Sequence, residues 1–201
     1  MPKAAPRFTR LSAADRRLRL IEASLACMAE GGMASFTVDR VCARAGVSRG
    51  LVAHHFGSMA GLLAATYGHL YAKAVPTLAH LPQNGSRLDG LLDALFDPAQ
   101  FNRPALNIWL SMWGAISNTP ELMAEHRRHY ALYVDLVAEV LASHAPALGQ
   151  GHASQTMARS FISLVDGLSL QHCIDPPSMP ASVARQAALD FVVQNTASKA
   201  L

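Results

Sequence analysis

At 201 residues the chain is long enough for one generous domain, or a small one joined to a larger, and it can bury a core without disulfide or metal staples. With 51% hydrophobic and 15% charged residues it is too apolar for intrinsic disorder, and its longest apolar stretches, such as 108–116, run to about half of the roughly 20 residues that a bilayer needs. The net charge of +3 is unevenly held: before residue 60 nine Lys/Arg stand against four acids, leaving +5, and after it eight stand against ten, leaving −2.

The basic start, Met1 to Arg10, is followed by charged residues rather than an apolar signal core, so a cytoplasmic protein without membrane contact is expected. Cys27, Cys42 and Cys173 are an odd, scattered set with no C-x-x-C and no zinc-finger spacing. No disulfide framework, metal site or cofactor is expected from them. The basic first third suits a polyanion-binding head on a near-neutral body, although a solvated basic face would give the same asymmetry.

In chain order, Ser12-x-x-Asp15 opens a helix whose apolar residues Leu18, Ile21, Leu25 and Met28 recur at helical spacing until Gly31-Gly32. Thr37 caps a second, short helix that Gly46 ends, and Ser48 caps a third to about His55. Ser58 opens a fourth toward Leu81, followed by a Pro/Asn/Gly loop from Pro82 to Ser86. Further helices are predicted at about 86–96, 103–117, 120–144, 153–173 and 180–196, which makes nine helices and no strand.

The run Thr37-Val38-Asp39-Arg40-Val41-Cys42-Ala43-Arg44-Ala45-Gly46-Val47-Ser48 has the form of a helix-turn-helix corner. Small Ala43 and Ala45 allow close approach, Val41 and Val47 supply the hinge core, and Gly46 frees the turn. Such a corner presents its second helix to a DNA major groove, but it also occurs as plain packing.

Leu20-Ile21-Glu22-Ala23-Ser24, Gly31-Gly32, Thr37-Val38, Ala45-Gly46-Val47-Ser48-Arg49-Gly50, His54-His55-Phe56 and Leu62-Leu63 follow one another in an order and spacing that resembles the DNA-binding domain of TetR family repressors. Downstream, Phe96-Asp97-Pro98-Ala99-Gln100-Phe101, Trp109-Leu110 with Trp113, Pro120-Glu121-Leu122 and Asp166-Gly167-Leu168 resemble the choline-responsive BetI type of that family. The resemblance implies an all-α repressor: a three-helix head over residues 1–57, and a ligand-binding and dimerisation body over 58–201.

It also implies roles for individual residues. Thr37 and Ser48 match positions that cap their helices and touch phosphate, and Arg49 begins the recognition helix. Gly50, Leu51, Ala53 and His54 lie on or beside the face turned to base edges, with His55 toward the DNA backbone. Ala53 stands where many members carry a tyrosine, and Met59 where most carry a lysine that can pair with a phosphate.

Rival motifs are weaker. Gly46-Val47-Ser48-Arg49-Gly50 spells the G-x-S-x-G string of a hydrolase, but that chemistry needs a strand before the serine and a helix precedes it here. His126 and His129 are one turn apart, yet Glu125, Arg127 and Arg128 around them describe a solvated helix face. Asn84-Gly85-Ser86 is a glycosylation acceptor only in a secreted protein. No nucleophile, base and orienting acid coincide, so an enzyme is not expected.

In the body, Trp109 and Trp113 are four apart on a helix that Phe101 leads into, with Tyr130 and Tyr133 on the next. Such rings form either plain core or an aromatic cage for a quaternary ammonium group. The resemblance favours the cage, with Asp166 as the acid beside the cation. A water-bonded or capping role for Asp166 stays open.

The partners implied are a near-palindromic operator in double-stranded DNA, a small effector such as choline, and a second copy of the chain. In the family the last two long helices form a four-helix bundle with their twins. Phe161, Leu164, Leu168, Phe191 and Val192 are the apolar face suited to that bundle, which would set two recognition helices roughly 34–36 Å apart for successive major grooves. A ligand-independent or activating DNA-binding protein with a plain hydrophobic core is the alternative.

Overall fold

The computed structural model describes residues 12–81, 86–149 and 151–197; Met1–Arg10 and most of the expected 82–86 loop lie outside them. Among the described residues there are nine α-helices, two short 3-10 turns and no strand. The helices are α1 (Ala13–Gly31), α2 (Val38–Ala45), α3 (Gly50–Phe56), α4 (Met59–Ala79), α5 (Arg87–Leu95), α6 (Arg103–Ile116), α7 (Pro120–His144), α8 (His152–Ile174) and α9 (Ala181–Ala197).

Local chemistry accounts for most of the ends. Ser12 Oγ accepts the Asp15 amide at 3.1 Å while the Asp15 carboxylate accepts the Ser12 amide at 3.1 Å, a reciprocal cap that satisfies two otherwise unpaired donors. The Ser12 hydrogen bonds hold the Asp15 carboxyl below its ordinary pKa. Thr37, Ser58, Ser86 and Asn102 cap α2, α4, α5 and α6 in the same way, each accepting an amide three residues ahead. Pro104 and Pro120 fall in the first turns of α6 and α7, where a missing N–H costs nothing.

Gly46 closes α2 in the left-handed conformation, with φ 65° and ψ 38°. Its amide bonds to Ala43 O at 3.3 Å and that of Val47 to Cys42 O at 3.0 Å, which satisfies two terminal carbonyls and turns the chain into α3. Ser48 does not cap α3 as expected. The residue before that helix, Arg49, is already helical (φ −52°, ψ −37°), and Ser48 contributes its carbonyl instead, accepting the Leu51 amide at 3.1 Å.

Three apolar clusters organise the molecule. The head core joins α1, α2, α3 and the start of α4 through Leu20, Ile21, Ala23, Cys27, Val41, Cys42, Ala45, Val52 and Leu62. The buried stripe of α1 is rotated from the sequence expectation: Leu20, Ser24, Cys27 and Met28 are interior, while Leu18 is exposed. Ala45 is interior as expected, but Ala43 faces solvent and sets no helix separation. The second cluster joins Met28, Leu63, Tyr67, Tyr71, Met112 and Leu122.

The third and largest cluster lies in the body, among α5, α7, α8 and α9. Each fully buried leucine in these clusters contributes about 1.5–3 kcal/mol of transfer free energy. Arg185 of α9 adds a polar tie to α5, reaching Asp93 at 2.8 Å and Asp89 at 3.4 Å.

The expected dimer face needs correction. Phe161, Leu168 and Val192 are buried in the single chain's own core, a cluster that also takes in α5 and α7 side chains, and Leu164 and Phe191 are half-buried against it. Phe161, Leu168 and Val192 therefore do not form an outward face, while Leu164 and Phe191 keep part of their surface exposed. The large apolar side chains that α8 and α9 do expose are Leu170, Ile174, Val183 and Val193.

Candidate nucleic-acid interface and aromatic pocket

In the head, the Thr37 cap and the Gly46 turn place α2 and α3 at a fixed angle over the core. Thr37, Ser48, Arg49, Gly50, Ala53 and His54 are all exposed along the corner. Leu51 is half-buried and leans into the head core, so it supports the face more than it forms it. His55 is half-buried with its Nε2 enclosed and unpartnered; burial, followed by the nearby His54, Arg16 and Arg17 charges, pushes its pKa down.

A neutral His55 offers no charge to a phosphate. Its carbonyl instead accepts Arg17 Nη1 at 2.9 Å, while the Arg17 guanidinium lies 4.3 Å from the Phe56 ring centre. Met59 is half-buried against the head core at the first position of α4. Arg44 is paired with Glu30, and Arg49 Nε lies 2.6 Å from Asp39 Oδ1.

Five and nine residues beyond Leu62, Tyr67 and Tyr71 of α4 are packed inside an aromatic cluster. Trp109 of α6 meets the ring of Tyr71 edge-on at 5.4 Å and that of Tyr67 at 6.2 Å, and Trp113 stacks on Trp109 at 6.3 Å. From α7, His129 stacks on Tyr71 at 5.3 Å and Tyr133 approaches it at 6.3 Å. Tyr130 stacks on His126 at 5.0 Å, with the Arg159 guanidinium 5.8 Å from its ring centre.

The polar atoms of the cluster are mostly paired with one another. Tyr67 Oη lies 2.8 Å from His126 Nδ1 and donates or accepts at 3.3 Å with Tyr71 Oη, and His129 Nε2 lies 3.1 Å from Glu125 Oε2. Gly68 makes this approach possible, since a Cβ there would stand 3.3 Å from Glu125 Oε2 and 3.4 Å from His129 Nε2. His126 and His129 thus turn inward onto the tyrosines of α4, not onto the solvated face expected from their neighbours.

Asp166 of α8 supplies the negative charge. Burial raises its carboxyl to about 6, and its field contributes to the raised values of Tyr67, Tyr71, Tyr130 and Tyr133. Burial is the largest cause for all four tyrosines, and Tyr71 reaches about 12. Burial also pushes His126 down, toward its neutral form.

Of the five residues expected to line a cage, Trp109, Trp113, Tyr130 and Asp166 are gathered around this cluster. Phe101 is not: it packs against Phe96 at 5.0 Å and His172 at 4.6 Å in the body core. The sequence reading missed Tyr67 and His126, whose contact spans 59 residues, and the central place of Tyr71. Tyr67 and Tyr71 are four apart on one helix, the same spacing that drew attention to the two tryptophans.

The tetR family of bacterial regulatory proteins matches residues 20–66, and the C-terminal domain of BetI-type transcriptional repressors matches residues 84–196. The HTH-type transcriptional regulator BetI of Burkholderia thailandensis is 32% identical over 183 residues, covering 88% of this chain and 91% of its own length. BetI 1 of Chromohalobacter salexigens is 29% identical, covering 90% and 91%.

Among solved structures, a putative transcriptional regulator from Pseudomonas aeruginosa PAO1 superposes with a TM-score of 0.79 at 30% identity, covering 96% of this chain and 95% of that one. A putative transcriptional regulator from Saccharomonospora viridis in complex with choline shares the fold, with a TM-score of 0.76 at 19% identity, covering 90% and 97%. With the helix-turn-helix head, the nine-helix order and a BetI-type match over more than half its length, the chain belongs to the TetR family of transcriptional regulators, with a C-terminal domain of the BetI repressor type.

Proposed function

We propose that this TetR family repressor binds a near-palindromic operator as a homodimer and releases it when a small quaternary ammonium compound of the choline class enters the aromatic cluster. The reading takes the head to end near residue 57 and the DNA face to comprise Thr37, Ser48, Arg49, Gly50, Ala53 and His54. The observation that carries it is the Trp109–Tyr71–Tyr67 cluster beside a desolvated Asp166, built on the helix that also enters the head core. A methylated cation takes no ordinary hydrogen bond, so ring faces and one carboxylate are the groups that recognise it.

In the conformation described, the rings pack on one another. An entering ligand must therefore part Trp109 from the tyrosines of α4, and that displacement reaches the head because α4 is one continuous helix. Ligand and operator then compete through the position of α4, with a coupling set by the ligand's differential affinity for the two arrangements. The same close packing favours a second reading, a DNA-binding protein with a plain core and no effector. The existence of a choline complex of a protein with this fold supports the first.

For dimerisation, the exposed Leu170, Ile174, Val183 and Val193 of α8 and α9 supply the outward apolar surface. An open groove of about 340 Å³ beside Val183, Gln186 and Asp190 offers space for a partner's side chains. Val193→Arg together with Leu170→Arg should give a folded monomer by sedimentation and weaken operator binding. An unchanged dimer would place the interface elsewhere.

Calorimetry with choline and with 3,3-dimethylbutanol, in which carbon replaces the charged nitrogen, tests the effector. Since a cation over a desolvated ring gains about 2 kcal/mol, the neutral isostere should bind at least tenfold more weakly, and Trp109→Ala should cost choline a similar factor. Phe101→Ala should leave choline affinity unchanged despite lost stability, because Phe101 belongs to another core. Equal binding of the isostere leaves an ordinary hydrophobic pocket, and no binding of either compound favours the second reading.

Asp166 gives the site a pH signature. A bound cation favours the carboxylate, so affinity is full above about pH 6 and falls toward tenfold per pH unit below it, as the ligand must displace a proton. The groups around Asp166 are Tyr67, Tyr71, Tyr130 and Tyr133, all protonated throughout this range, with His126, His129 and Arg159 behind them. Asp166→Asn should abolish the pH dependence along with most of the binding.

The same substitution should stabilise the ligand-free protein at pH 8 by up to about 2 kcal/mol. The folded-state value lies above the ordinary one, so the ionised form opposes folding above pH 6 and that cost disappears as pH falls toward 4. Persistence of the pH dependence in Asp166→Asn would assign it to His126 or His129 instead.

A further inference from the structure

The outer side of the helix-turn-helix carries one contact that DNA binding by Arg49 does not by itself require. Arg49 Nε lies 2.6 Å from Asp39 Oδ1, and the two side chains remain 72% and 59% exposed. An ion pair this exposed contributes little to folding. The backbone beneath each partner is nevertheless fixed. Asp39 stands in the first turn of α2 behind the Thr37 cap, and the Gly46 turn with the Val47–Cys42 hydrogen bond sets where Arg49 begins α3.

We propose that Asp39 is a positioning residue for DNA recognition, its carboxylate pairing with the Nε edge of the Arg49 guanidinium so that the terminal nitrogens point end-on at a guanine. This inference rests on the DNA-binding reading of the head. A guanidinium has five N–H donors, and guanine presents two acceptors, N7 and O6, in the major groove. With the carboxylate against the Nε edge of the guanidinium, the two terminal nitrogens remain as a parallel donor pair of matching geometry. Without that restraint the side chain is free to swing to the nearest phosphate, which carries no sequence information.

The carboxylate also acts as a filter. Placed beside the DNA face, it is repelled by phosphates and offsets the Arg49 charge, so the pair adds little to binding of arbitrary sequence. Asp39 thereby exchanges overall affinity for discrimination. No other residue of the exposed face provides this: Thr37, Ser48, Gly50 and Ala53 carry no charge, and His54 carries no acid partner.

The test uses two probes, a duplex selected by the wild-type protein from a randomised library and a random-sequence duplex of equal length, with binding followed by fluorescence anisotropy at several salt concentrations. In Asp39→Ala, the random duplex should bind at least threefold more tightly and its log–log salt slope should steepen by about 0.9, the value of one added phosphate contact. The preference for the selected duplex should fall at least fivefold, and renewed selection with this variant should lose one guanine per half-site.

Asp39→Asn, which keeps the acceptor oxygen but not the charge, should recover part of the preference, and it decides the matter if Asp39→Ala unfolds. An unchanged preference in both variants, or an equal weakening on both duplexes, would overturn the proposal. A wild type that selects no duplex at all would instead remove the DNA-binding reading beneath it.

Discussion

The arrangement depends on one mechanical constraint, that the same helix must satisfy three separate apolar clusters. α4 puts Leu62 into the head core, Leu63, Tyr67 and Tyr71 into the aromatic cluster, and Leu78 into the body core. Its 21 residues span roughly 31 Å, and between Leu62 and Tyr71, ahead of the Pro76 that removes one backbone hydrogen bond, its turns cannot adjust independently without breaking that ladder. A shift demanded by the aromatic cluster is therefore delivered to the head core. Packed cores resist graded deformation, which makes such a shared element suited to switching between discrete arrangements.

The chemistry of the two ends follows from what surrounds that helix. Near the head, exposed polar and basic groups ride on a corner whose geometry is fixed by Thr37 and Gly46, so they are presented rather than buried. Near the body, the tyrosines of α4 meet Trp109 from one side and the α7 histidines from the other, and their hydroxyls find partners within the cluster. Asp166 is the exception. Its carboxyl is buried enough to be raised to about 6, a cost that a bound cation would offset.

Much of this was legible in the sequence where the signal is local. Helix ends at Ser12, Thr37, Gly46, Ser58, Asn102 and Pro120 follow from residues within a turn of each boundary, so the nine helices could be ordered before any tertiary contact was known. The exception at a boundary, Ser48, failed because Arg49 is already helical, leaving the serine one position too early to cap. Periodicity was less informative about partners. It picked out Phe161, Leu168 and Val192 as an apolar face, but an apolar stripe does not reveal whether it meets its own chain or a second copy.

The same limit shaped the reading of the pocket. Phe101 and Trp109 are close in sequence, yet Asn102 starts a new helix between them and their rings fall into different cores. Tyr67 and His126 meet across 59 residues, a pairing that no local pattern encodes. The central claim is that aromatic pocket and head are coupled through α4, and linkage offers its most direct test: the choline dissociation constant measured on the free protein and on the protein saturated with a selected duplex. The account predicts weaker choline binding in the complex, by the same factor that choline weakens duplex binding. Equal affinity in both states would contradict it.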